Sequence, residues 1–144
     1  MKKLNVIIVY NKEENKILMC KREKEPYKGK YNLVGGKLEE NEDSLEGAYR
    51  ELEEETGITK DDIILTYLMN FEYKLLNMQL QVFVGKLNKE KTLVEEVNKL
   101  YWMDLNENFF DEEKFAGEGN IGHMLCQVNI NKKPIVFYRF ILCL

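Results

Sequence analysis

The chain has 144 residues, a formal net charge of −4, 44% apolar and 32% charged side chains. This is the profile of a soluble globular protein, long enough to bury the core of one domain spanning residues 1–144. The acidic balance argues against a dedicated nucleic-acid binder, and no apolar run approaches the length of a membrane span.

Leu4 to Tyr10 (L-N-V-I-I-V-Y) is rich in β-branched residues and predicts a buried strand. It is too short and strand-like for a secretion signal, so a cytoplasmic location is expected. Asn11 to Asn15 reads as a polar turn, and Ile17 to Arg22 as a second strand pairing back on the first. Residues 21–30 hold five cations around Pro26 and run into Tyr31 to Val34, a short strand before a Gly35-Gly36 turn. At the end of a strand aimed at that turn, Lys21 or Arg22 could clamp a phosphate.

The next segment predicts a helix from Ser44 to Glu55. Asp43 is a good N-cap and Glu46 completes a capping box. Leu45, Ala48, Tyr49 and Leu52 fall on one face, and Gly57 supplies the C-terminal stop. Glu51, Glu54 and Glu55 then share an arc beside that apolar face. Like charges repel there, and the last turn of a helix favours cations. A hard divalent cation with oxygen ligands would reverse the sign of both effects. Arg50 lies four residues from both Glu46 and Glu54 and could tether the acids. Gly35 and Gly36 would let an ion or phosphate approach the backbone closely.

Gly36, Glu42, Arg50, Glu51, Leu52, Glu54, Glu55, Gly57 and Ile58 fill every fixed position of G-x5-E-x7-R-E-U-x-E-E-x-G-U, where U is bulky and apolar. The stretch resembles the Nudix box. The resemblance implies an α/β/α sandwich with a mixed sheet and a loop-helix-loop motif. It implies hydrolysis of a nucleoside diphosphate linked to another moiety. It also implies that Glu51, Glu54, Glu55 and the Gly36 carbonyl bind Mg²⁺ or Mn²⁺, with Glu42 and Arg50 holding the motif together behind them. Arg50 therefore stands with the catalytic set.

Farther on, Ile63 to Leu87 alternates like two strands with a hairpin turn at Leu76-Asn77, followed by a charged turn at residues 88–91. Glu95 and Glu96 precede a strand from Leu100 to Met103. The resemblance makes either one a further metal-binding or base carboxylate. Trp102 fits the core better than a stacking role. Asn106 to Lys114 reads as an acidic helical turn, Phe115 to Gly122 as a glycine-rich loop, and His123 to Val128 as a helix. A turn at residues 131–134 and a final strand, Ile135 to Leu144, close the chain.

Scarcities exclude other chemistries. Ser44 is the single serine and His123 the single histidine, and Ser44 falls in the first turn of the acidic helix, which argues against a Ser-His-Asp triad. His123 and Cys126 would share one helix with no oxyanion loop beside them. Cys20, Cys126 and Cys143 form no C-x-x-C pair and read as reduced, mostly buried thiols. Lys37 follows Gly36, but Leu38 comes next, so the glycines are not a P-loop.

Y-N-L-V-G-G-K at residues 31–37 is similar to the W-N-x-x-G-G-K of the MutT-like, oxidised-purine triphosphate hydrolases. That similarity gives Asn32 a base-binding role and places Gly35 and Lys37 with Lys21 and Arg22 in the substrate-binding set. Glu118 and Asn120 are further pocket candidates. The expected reaction is Mg²⁺-dependent cleavage of a nucleoside triphosphate, such as an 8-oxo-dGTP-like substrate, to monophosphate and pyrophosphate. Alternatives are a dinucleoside polyphosphate, nucleotide sugar or cap as substrate, or a nucleotide sensor that does not cleave. The ADP-ribose branch carries a proline about 16 residues past the box, and this chain has only Pro26 and Pro134. Tyr73 lies near, but offset from, the tyrosine of the dinucleoside-polyphosphate branch. The expected partner is a small nucleotide, bound by a monomer or homodimer.

Overall fold

A computed structural model describes residues 1–131. The expected strand over residues 135–144 and Cys143 lie outside the described residues. Among the described residues, six strands form one mixed sheet in the order β4-β5-β1-β3-β2-β6. They are β1 (Lys2–Tyr10), β2 (Lys16–Lys21), β3 (Tyr31–Lys37), β4 (Thr66–Tyr73), β5 (Met78–Lys86) and β6 (Lys99–Asp104). Helices α1 (Ser44–Thr56) and α2 (Asn120–Asn131), with a short 3-10 turn at Lys74–Leu76 in the β4–β5 hairpin, complete the described elements and give the α/β/α sandwich.

The run Val6 to Tyr10 is buried throughout because β1 is central and covered on both faces. Val6, Ile8 and Tyr10 pack in a core cluster with Ile121, Met124 and Val128 of α2. Ile7 and Val9 join the opposite cluster with Ala48 and Leu52 of α1. β1 runs parallel to β5 from Lys2↔Met78 to Tyr10↔Lys86, which makes the sheet mixed. Trp102 packs against the α1-side cluster, as core.

The expected hairpin between the first two strands shrinks to one registered pair, Tyr10↔Ile17. β2 pairs instead with β6 along its whole length and with the first half of β3. Gly35 and Gly36 are not a turn. They lie inside β3, opposite Val6 and Asn5, because the strand continues across to β1. The segment 106–114 forms turns without a helix, and α2 starts earlier than expected, at Asn120.

Helix α1 has the expected ends. Asp43 accepts the Glu46 N–H at 3.1 Å, and Gly57 closes the helix at φ 79° with its N–H on Glu53. The other half of the capping box does not form, because the Glu46 carboxylate pairs with Lys60 across the C-terminal loop. Ala48 and Leu52 are fully buried, whereas Leu45, at the N-terminal turn, is 37% exposed. Cys20 is buried, but Cys126 is exposed on α2, contrary to the buried role expected of it.

Candidate active site

The continuation of β3 past Val34 places Gly36 beneath the last two turns of α1. A Cβ on Gly36 would overlap the Glu51 carboxylate, so only glycine admits that side chain there. A Cβ on Gly35 would meet the Asn5 carbonyl oxygen on β1.

Arg50 is the hub of the acid cluster. Its Nε and Nη2 donate to the Glu42 carboxylate at 2.6 and 3.0 Å. Nη1 donates to Glu51 at 2.9 Å and to Glu54 at 3.2 Å, and Nη2 also reaches the Lys37 carbonyl at 3.1 Å. Glu42 additionally accepts the Glu39 N–H. The Arg50 hydrogen bonds, then the Glu39 amide, hold its carboxyl below the usual range. The predicted Arg50–Glu54 tether is present, but the Glu46 tether is not, because Glu46 is bound to Lys60. Burial is the largest cause raising the Glu51 carboxyl, opposed by Arg50. Glu54 is half exposed.

Glu55 has different surroundings. It turns from Arg50 and, among the described residues, accepts only the Gly35 N–H, at 3.4 Å. Burial, with Glu51 and Glu96 adding negative charge, pushes its carboxyl up to about 7 against the pull of Gly35 and Arg22. Among the described residues, no three His, Cys, Asp or Glu side chains converge on one ion position. The acids are gathered, but two of the three from α1 are turned to Arg50.

Glu55, Gly35 and Gly36 border a cleft of about 600 Å³. Arg22 and Asn32 also border it, whereas the Lys21 ammonium sits over the Tyr31 ring at 5.6 Å. The structure therefore brings Arg22, not Lys21, to the cleft. Arg22 is held by its Nε on the Pro26 carbonyl at 3.2 Å. Asn32 accepts the Leu33 N–H at 2.8 Å, and its Nδ2 makes no hydrogen bond among the described residues. Lys37 lines the cleft too. Of the two acids before β6, Glu96 is the one whose charge acts on Glu55, although both are exposed.

A second polar cluster lines the same cleft. The Tyr27 hydroxyl donates to Glu118 at 2.7 Å, and the Asn120 Nδ2 donates to the Tyr73 hydroxyl at 2.9 Å. Burial, then the Glu118 bond, pushes the Tyr27 hydroxyl up to about 12. Glu118 and Asn120 were legible as loop candidates. Tyr27 carried no signal, because its place depends on a contact 91 residues away in sequence. Asn5 was also missed, although a polar residue inside an apolar strand was a visible sign.

A family model described as NUDIX domain matches residues 1–123. The chain belongs to the NUDIX domain family. This NUDIX domain is 46% identical over 46 residues to an ADP-ribose pyrophosphatase of Methanocaldococcus jannaschii, a match covering 32% of this chain and 27% of that protein. The chain thus spans about a quarter of that curated relative's length. In fold it is similar to a C. elegans Ap4A hydrolase solved as a binary complex, with TM-score 0.70 and 19% identity, covering 90% of this chain and 96% of that one. It is also similar to a MutT protein from Methanosarcina mazei, with TM-score 0.69 and 20% identity, covering 92% and 96%. Among the described residues, no helix of the NUDIX domain is long and apolar enough to cross a membrane.

Proposed function

We propose that this NUDIX domain, taken as one unit over residues 1–144, is a Mg²⁺-dependent nucleoside triphosphate pyrophosphohydrolase. The reading takes an 8-oxo-dGTP-like substrate to monophosphate and pyrophosphate. The observation that carries it is the placement of Glu55, half-buried at the cleft wall on the Gly35 N–H, where desolvation and the neighbouring charges of Glu51 and Glu96 push its carboxyl up to about 7.

The donor set fits a hard divalent cation. Glu51, Glu54, Glu55 and the Gly36 carbonyl offer oxygen only, and a cation would offset the desolvation and the repulsion that raise Glu55. When bound, such an ion supplies positive charge against the bridging phosphate oxygens and makes water a better nucleophile.

The chain's own residues do the rest. Arg22 binds phosphate with a planar guanidinium already fixed by Pro26. Glu96, exposed and outside that donor set, can take the proton of the attacking water. Arg50 holds Glu42 in place and keeps Glu51 and Glu54 together until they are recruited. Asn32 has its Nδ2 available for a base edge. Glu96, beside Glu55, is preferred over Glu95 as the further acid. The expected setting is cytoplasmic.

A second reading keeps the chemistry and changes the leaving group. The similarity to a protein named ADP-ribose pyrophosphatase favours a nucleoside diphosphate derivative as substrate. A Mg²⁺ assay over 8-oxo-dGTP, unmodified triphosphates, ADP-ribose and dinucleoside polyphosphates decides between them. Pyrophosphate release from 8-oxo-dGTP with the highest kcat/KM supports the first reading. Preference for ADP-ribose supports the second, and no turnover on the panel leaves a nucleotide sensor.

A further inference from the structure

Asn5 lies in the middle of the sheet, 2% exposed, on the β1 residue registered opposite Gly36. Its Oδ1 accepts the Gly36 N–H at 3.1 Å. Its Nδ2 is buried and has no hydrogen-bond partner among the described residues. An unspent buried donor costs free energy, so a partner in another state of the site is expected.

The nearest chemistry is that of Glu51. Registered partners on adjacent strands project to the same face of a sheet, so the Asn5 side chain shares the face of Gly36. The Glu51 carboxylate lies on that face, where a Cβ of Gly36 would be, with Oε2 the atom nearest. Arg50 uses only the other oxygen, Oε1. A free N–H donor and a free carboxylate oxygen thus flank one glycine. Among the described residues, the other buried side-chain atom without a partner, the Gln81 Oε1, sits on β5 opposite Asn5 and is the competing acceptor.

We infer that Asn5 is a positioning residue for Glu51, donating from Nδ2 to Glu51 Oε2 when Glu51 leaves Arg50 to bind a divalent cation. The inference rests on the proposed metal role of Glu51. Asn5 replaces part of what Glu51 gives up on leaving the guanidinium, and its bond to Gly36 aligns the strand under the same carboxylate.

The test is Mn²⁺ titration of the full chain, reading the electron paramagnetic resonance of free aqueous ion, on Asn5→Leu, Glu51→Gln and the double variant. Loss of a residue supporting a metal ligand costs roughly ten-fold in metal affinity. Asn5→Leu is expected to show that loss alone and almost none of it in the Glu51→Gln background. Equal losses in both backgrounds, or an equal loss from Gln81→Met, would overturn the inference.

Should Asn5→Leu not fold, ¹H–¹⁵N spectra of the unsubstituted chain serve instead. The Asn5 side-chain amide must shift on adding Mg²⁺, and must stay put in Glu51→Gln. A stationary amide in a chain that binds Mg²⁺ overturns the inference alone. A chain that binds neither ion overturns the metal reading, and this inference with it.

Discussion

Two consecutive carboxylates in the last turn of α1 have opposite fates. Glu54 is half exposed and leans on Arg50, while Glu55 is half-buried, 3.4 Å from a lone backbone N–H, with its carboxyl raised to about 7. The Arg50 cluster is satisfied as it stands. The Glu55 side is not, and its deficit is positive charge. One helix therefore holds a structural half and a reactive half, and the comparison can be broken from either side.

The largest expected effect is on turnover. Glu54→Gln removes a charge with little change in volume, and kcat is expected to fall by about a hundred-fold or more, with Tm nearly unchanged. A steady-state assay with Mg²⁺ checks this, and unchanged kcat would remove Glu54 from the mechanism and leave it with the structural half alone. Gly36→Ala comes next. The added Cβ must displace the Glu51 carboxylate, so kcat is expected to drop by roughly ten-fold, with weaker Mg²⁺ binding by calorimetry.

Arg50→Leu tests the structural half. It leaves Glu42 and Glu51 without their shared donor and is expected to cost roughly 1–3 kcal/mol. The urea midpoint should fall at an unchanged m-value. Because Arg50 holds Glu42 with two of its nitrogens, Arg50→Lys should recover only part of this.

The smallest effect concerns pH. Glu55 titrates near 7 in the fold against an ordinary value of 4.5, so folding favours its protonated form. Its contribution is intact below pH 4.5 and is lost as pH rises through 7. Thermal melts should show Glu55→Gln gaining several degrees over the unsubstituted chain at pH 8 and little at pH 4. Mg²⁺ should raise Tm more at pH 8 than at pH 5, because it requires the ionised carboxylate.

Much of this was legible in the chain itself. The run of β1, the caps of α1 at Asp43 and Gly57, and the acids on one arc of the helix follow from periodicity and local hydrogen-bonding chemistry. These are short-range properties, fixed by neighbours within a turn or a strand, and the motif at residues 36–58 condenses them. The partner of β2, the passage of β3 through Gly35 and Gly36 to β1, and the choice of Arg22 over Lys21 are set by pairings between distant segments. So are the Tyr27–Glu118 bond and the orphaned amide of Asn5. Spacing along the chain could say that Glu54 and Glu55 are both acids on one face. Only the packed sheet beneath them decided which one meets a guanidinium and which is left, desolvated, to the cleft.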